Sequence, residues 1–261
     1  MNAEQIVNEA FTKVVNGIRI MPYQIESEIT ELLNLLIPLK PKRMMEIGTA
    51  NGGTLYMWTQ VCDPEALLIA MDLPNPYGKV YGGGFSVEQQ TAYRSFAQPN
   101  QQLHFLEIDS HKPEALIGVK SILQNDPLDV LFIDGDHSFE GVKQDFEMYS
   151  SLVKPGGLII FHDITIHPEY LKCKVAEYWN TIRGKYQIKE IRGIPIDRPD
   201  LKIYGGIGVI TKPNLDRVSI IMMAHDIETP TRKELFERAT FQLSQVKYPK
   251  TLWGDSTCSE W

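Results

Sequence analysis

Two stretches of this chain gather groups that do chemistry: LDVLFIDGDHSFEGVKQDF, 128 to 146, and KPGGLIIFHDI, 154 to 164. Each holds a short apolar run that ends in acids and imidazoles, Asp134, Asp136 and His137 in the first and His162 and Asp163 in the second. If the runs are neighbouring parallel strands, their carboxyl ends place all five groups on one edge of a sheet. Carboxylates gathered without matching Lys or Arg repel one another, and a hard divalent cation with oxygen ligands is the usual remedy. Asp136 or His137 beside such an ion would be a base able to remove a proton. Blander readings stand beside these: His137 also suits a helix start, His162 a satisfied core position, and Asp145 the solvated side of a helix.

A second constellation lies earlier, in MMEIGTANGGTLYMW, 44 to 58. An apolar run carrying Glu46 meets Gly48, Gly52 and Gly53 where a helix should begin. Glycines there bring backbone N–H groups and an uncrowded surface to the carboxyl edge of a sheet. Gly48 and Gly52 would admit a ligand close to the backbone, and Gly53 would let the helix pack tightly on the strand. The spacing G-x-x-x-G-G is neither the dinucleotide fingerprint nor a P-loop, which counts against NAD, FAD and nucleoside triphosphates.

These groups need elements to hold them. Apolar runs of the length of strands recur at 42–48, 67–73, 103–109, 128–134 and 157–163, with later candidates at 186–191 and 204–211. Turn signals and helically spaced segments separate them, the alternation that builds a mainly parallel sheet. The expectation is an α/β, Rossmann-like, doubly wound sheet of seven strands with helices on both faces. Between the fourth and fifth runs, Phe139, Val142, Phe146, Tyr149 and Val153 fall at helical spacing, predicting a core-facing helix over 139–153 that Lys154-Pro155-Gly156-Gly157 stops. Loops at 74–86, with Tyr77, Tyr81 and Phe85, and at 192–203, with Arg192, Asp197 and Arg198, are long enough to surround a polyhydroxylated ligand.

The motif E-I-G-T-A-N-G-G-T with Asp72 closing the next run resembles the cofactor site of class I S-adenosylmethionine-dependent methyltransferases, and the likeness extends over about 25 to 211. That resemblance implies that Glu46, Gly48, Thr49, Asn51, Gly52 and Gly53 face the methionine part of S-adenosyl-L-methionine, that Asp72 accepts from both ribose hydroxyls, and that Asp109 and Ser110 lie near the adenine. The acidic edge resembles the metal-dependent O-methyltransferases of sugars and natural products. By that likeness Asp134 or Asp136, with Asp163, would ligate Mg²⁺, with Asp134 also bordering the cofactor and Asp136 or His137 taking the proton of the acceptor hydroxyl. His162 stands where those relatives place an oxygen ligand, and imidazole favours Mn, Fe or Zn over Mg.

Bulk properties narrow the remaining choices. The 26 basic and 33 acidic residues leave a formal charge of -7, which argues against nucleic acid as a partner and leaves a small molecule or glycan as substrate. A homo-oligomer is compatible with this. Cys62, Cys173 and Cys258 are far apart, indicating neither a disulfide framework nor a zinc knuckle and fitting a reducing cytoplasm without membrane attachment. Alternatives at this stage are an N-methyltransferase without metal, a non-catalytic cofactor-binding module of a glycan-assembly complex, and a nicotinamide oxidoreductase. The expected boundary puts helices over 1–40 and the methyltransferase part up to residue 213, with 214–261 weakly resembling the start of a family 2 glycosyltransferase.

Overall fold

The computed structural model describes residues 1–74, 84–193 and 205–213, which belong to the first of two units, Met1–Pro213. Helix α1 (Ala3–Thr12) is started by a capping box between Asn2 and Gln5 and buries Ile6, Val7 and Ala10. A hairpin follows that periodicity did not reveal: β1 (Val14–Val15) and β2 (Ile18–Arg19) join through Asn16-Gly17, both at positive φ. Helix α2 (Glu26–Leu36) completes this segment, so 1–40 holds two helices and a hairpin.

From there strands and helices alternate: β3 (Arg43–Ile47), α3 (Gly53–Val61), β4 (Leu67–Asp72), α4 (Val87–Arg94), β5 (Gln102–Glu107), α5 (Pro113–Leu123), β6 (Leu128–Ile133), α6 (Phe139–Tyr149), β7 (Val153–His162), α7 (Val175–Ile182), β8 (Gln187–Ile191) and β9 (Ile207–Thr211). The seven long strands form one sheet in the order β5-β4-β3-β6-β7-β9-β8, with β9 running against its neighbours. Successive strand residues face opposite cores. Met44, Val130 and Phe132 pack under α1 to α4, while Met45, Ile47, Leu131 and Ile133 pack under α5 to α7.

The chain runs outward from β3 to β5 and then crosses to β6 on the other side, so a switch point opens between the carboxyl ends of β3 and β6. There the two ends close on each other: Asp134 N donates to Ile47 O at 2.9 Å, and a Cβ on Gly48 (φ +87) would lie 2.1 Å from Asp134 O. Gly52 makes room in the same way for the Tyr93 ring. Gly53 does not serve helix-on-strand packing as expected. Its missing Cβ instead admits the backbone of Met21 and Pro22, 2.1 Å from the Pro22 nitrogen.

Three further differences have local causes. The helix expected over 139–153 ends at Tyr149, a short 3-10 turn (Ser150–Leu152) follows, and Val153 already opens β7, so Lys154-Pro155-Gly156-Gly157 lies within a strand. Gly156 N and Lys212 N donate to Lys212 O and Gly157 O, which shows what that irregular strand start pairs with. The aromatic stripe of α6 is core, but Asp145 is not solvated: it is 0% exposed. Phe85 packs 5.0 Å from the Phe105 ring, while Arg192 is paired to Glu190, so neither stands free for a ligand. Tyr77, Tyr81, Asp197, Arg198 and 214–261, with its glycosyltransferase-like start, lie outside the described residues. No helix among the described residues is long and apolar enough to cross a membrane.

Gly53→Ala should lower unfolding stability by about 1–3 kcal/mol, because backbone rather than a flexible side chain must give way. Gly184→Ala, where a Cβ meets nothing within 4 Å, should change it by less than about 0.5 kcal/mol. Denaturant titration of both variants measures the contrast.

Candidate active site

The glycine loop after β3 is held by Asp72 at the end of β4. Asp72 Oδ2 accepts from Thr49 N at 3.0 Å and Ala50 N at 2.7 Å, and Oδ1 accepts from Leu73 N at 2.7 Å. Burial raises the Asp72 pKa, and these backbone donors oppose the rise. Glu46 points into the core beneath the loop, fully buried, where Oε2 accepts from the Trp58 indole at 2.7 Å. Burial pushes its carboxyl up to about 7. Asn51 reaches Tyr23 Oη at 2.9 Å, and Thr49 is buried in the loop. Beyond β5, Asp109 Oδ1 caps His111 N, and Ser110 O accepts from Tyr149 Oη at 2.6 Å. Glu46, Gly48, Thr49, Asn51, Gly52, Gly53 and Asp72 therefore share one strand edge, with Asp109 and Ser110 at the next.

Across the switch point stands the second group. Asp134 Oδ2 accepts from Gln24 Nε2 at 2.7 Å, and its Oδ1 lies 3.2 Å from both His137 Nε2 and His162 Nδ1. Asp163 Oδ1 lies 3.3 Å from His162 Nδ1 and from His167 Nε2, and its Oδ2 lies 3.4 Å from His137 Nδ1. The chain turns at Asp163 with φ 62, a left-handed conformation that an Asp tolerates better than most residues. Burial alone would raise both carboxyls. The imidazolium charges around them win, holding both below the usual carboxylate range. Burial likewise pulls His162 down, but Asp134 and Asp163 lift it to about 9.

The candidates thus separate. Asp134, His162 and Asp163 converge as expected, with His137 joining them. Asp136 does not: it is exposed at the start of α6, where Oδ1 accepts from Ser138 N at 2.8 Å. Sequence reasoning missed Gln24 and Cys173, which enter from outside the motifs, and His167, four residues past Asp163. It also missed that buried Asp145 faces His111 Nε2 at 3.3 Å, a pairing across 34 positions with no periodic signal.

Residues 45–164 match the family model described as "Methyltransferase domain". Over these residues the chain thus carries the pattern of a methyltransferase domain on a Rossmann-like sheet. The chain superposes on the O-methyltransferase TomG from Streptomyces achromogenes, involved in tomaymycin synthesis and solved with SAM, with TM-score 0.52, 14% identity and coverage of 81% of this chain and 90% of that one. A cofactor-bound protein from MTB gives TM-score 0.53 at 14% identity, covering 81% and 88%. At such identity the likeness establishes the fold. Among curated proteins, one from Sinorhizobium fredii (strain NBRC 101917 / NGR234) is 23% identical over 145 residues, 56% of this chain and 15% of its own. Another, from Acanthamoeba polyphaga mimivirus, is 44% identical over 50 residues, 19% of this chain and 22% of its own. The chain spans less than a quarter of the length of these curated relatives.

The raised Glu46 pKa carries a stability consequence. A carboxyl that titrates at 4.5 when unfolded and near 7 when folded favours the folded chain fully below pH 4.5, and this contribution is lost as pH rises toward 7. The loss should be about 3 kcal/mol. Glu46→Gln should flatten that part of the profile, measured as unfolding free energy of both proteins between pH 5 and pH 8.

Proposed function

We propose that this chain moves the methyl group of S-adenosyl-L-methionine to a hydroxyl oxygen of a small polyhydroxylated acceptor, a sugar or natural product, with assistance from a divalent ion. The observation that carries the reading is the convergence of Asp134, His137, His162 and Asp163 across the switch point from the Asp72-held glycine loop. Backbone donors gathered by Asp72, with an acidic floor at Glu46, suit a ligand that bears hydroxyls and a positive sulfonium. Residues 48–53 and Asp72 would hold that cofactor, which supplies an electrophilic methyl group when bound.

The acceptor hydroxyl must lose its proton as its oxygen forms the new bond to the methyl carbon, and thioether sulfur leaves. His137 is where an acceptor meets the polar cluster, since its side chain is 40% exposed while those of Asp134, His162 and Asp163 are at most 13% exposed. Asp134 holds the ring through Nε2 and Asp163 Oδ2 lies 3.4 Å from Nδ1, so the ring serves as a base or as a metal ligand once a bound cation replaces its proton. The donors present mix imidazole with carboxylate, and Asp136 stays outside, so they fit a borderline divalent ion better than an all-oxygen Mg²⁺ cage. A bound ion would lower the pKa of the hydroxyl as a Lewis acid.

Calorimetry with S-adenosylhomocysteine and single-turnover transfer from labelled S-adenosylmethionine to a panel of sugars test the reading. Asp72→Ala should weaken cofactor binding about 10- to 100-fold through the released loop. Asp163→Ala should keep that affinity and lower turnover by about 100-fold or more. Wild-type turnover in a folded Asp163→Ala protein would sink the assignment. Dialysis against a chelator should abolish turnover, with Mn²⁺ or Zn²⁺ restoring it better than Mg²⁺.

A further inference from the structure

One side of the polar cluster adds two groups that the methyl-transfer reading leaves unused, Cys173 and His167. Ligand atoms of His137, Asp163 and Cys173 lie within 4.8 Å of one another. His167 borders the same two groups, with Nε2 3.3 Å from Asp163 Oδ1 and a hydrogen bond to the Cys173 thiol. Cys173 is far from His137 in sequence, but the adjacent Lys174 N donates to His137 O at 2.7 Å and fixes the return of the chain.

The hydrogen bonds on the outer side of each imidazole settle which nitrogen faces inward. His167 Nδ1 lies 2.7 Å from Thr165 O, so Nε2 is the nitrogen turned toward Asp163 and Cys173; beside that carboxylate it carries a proton, which a bound cation would replace. His137 Nε2 lies 3.2 Å from Asp134 Oδ1, and Nδ1 is the inward nitrogen, 3.4 Å from Asp163 Oδ2, whose proton a cation would replace in the same way. An imidazole bonded on its far side to a carboxylate or carbonyl is the arrangement that orients metal-ligating histidines.

We infer that His137 Nδ1, Asp163 and Cys173 Sγ, with His167 Nε2 as fourth donor, form a binding site for a borderline divalent cation of the zinc type. Two nitrogens, one sulfur and one oxygen form a donor set that zinc accepts in tetrahedral coordination, whereas Mg²⁺ and Ca²⁺ disfavour sulfur. The neighbouring group Asp134, His162 and Asp163 is less suited. It offers no sulfur, and Asp134 Oδ2 is held by the Gln24 amide, a donor that a cation cannot displace as it displaces an imidazolium proton. Asp134 is then a positioning residue that acts on the ion through His137. The site deepens the methyl-transfer reading and rests on it for the ion's task, since His137 is the rim an acceptor reaches; the occupancy of the site is independent of that reading.

The full chain, stripped with a chelator, should take up one Zn²⁺ per protein in competition with a chromophoric chelator. Co²⁺ in its place should show a sulfur-to-cobalt charge-transfer band. Cys173→Ser should abolish that band, and Cys173→Ser and His167→Ala should each weaken Zn²⁺ about tenfold or more, with Asp134→Asn costing about tenfold. Zn²⁺ should also shield Cys173 from iodoacetamide, read by site-resolved mass spectrometry. Unchanged far-UV circular dichroism and an unchanged denaturant midpoint in each chelator-stripped variant certify the fold. If Cys173→Ser and His167→Ala both bind Zn²⁺ as wild type does, or Co²⁺ gives no sulfur band, the site is overturned. Zn²⁺ binding at these residues without any methyl transfer would leave the site standing and remove the activity.

Discussion

Two buried carboxylates, Asp134 and Asp163, must stay ionised at the carboxyl edge of the sheet, and the surrounding structure is arranged to permit it. Taking a carboxylate out of water costs several kcal/mol unless its lone pairs are bonded and its charge is offset. The recorded ion pairs of both residues are with histidines: His137 and His162 for Asp134, and His137, His162 and His167 for Asp163. That choice has chemical meaning. An arginine in the same place would offset the charge permanently, having no lone pair and no accessible neutral form. Imidazoles can give up a proton and offer a nitrogen, so the charge that stabilises the cluster can be exchanged for another cation.

The other half of the edge solves its burial problem without titratable partners. Asp72 is satisfied by the backbone N–H groups of Thr49, Ala50 and Leu73, while Glu46 accepts from the Trp58 indole at Oε2 and is eased by protonation, its carboxyl pushed up to about 7. Backbone donors cannot leave, so the glycine loop has one shape, whereas the histidine cluster can change its protonation in place. The two halves touch where Gly48 meets the Asp134 carbonyl, a contact that only a residue without a side chain allows. A rigid cradle is thereby fixed in position against an adjustable polar wall.

Much of the cradle was legible in the residue order, and much of the wall was not. The strands read as short apolar runs, most plainly the central ones buried on both faces, and their ends fell within two residues of the expected places except at the starts of β7, at Val153, and β9, at Ile207. The glycine loop and the strand-end acids were legible because the parallel topology collects strand ends on one edge. Asp136 was misplaced because two residues past a strand the chain has already turned into α6, and a carboxylate there binds its own backbone at Ser138 N. Asp145 deceived because helical periodicity distinguishes apolar from polar faces and says nothing of a polar partner waiting across the gap, as His111 does. His167 and Cys173 carry no periodic signal, since an irregular segment is placed by contacts with distant residues.

Those contacts show where the individuality of this chain lies. The segment matched by the family model ends at residue 164, yet the residues that complete the polar wall come from either side of it. On one side, the Met21–Pro22 backbone fills the space left by Gly53, Gln24 bonds Asp134, and Glu28, buried in α2, accepts from Gly193 N at 2.6 Å and Gly206 N at 2.8 Å. On the other, Ile164 N and Thr165 N donate to Gly206 O and Gly205 O, and Lys174 N to His137 O. Glu28 therefore holds the strand that holds the turn at Asp163, and the turn aims His167 at the same carboxylate. A common sheet supplies the edge; two flanking segments, tied to each other through Gly206, decide which side chains meet there and what chemistry they can perform.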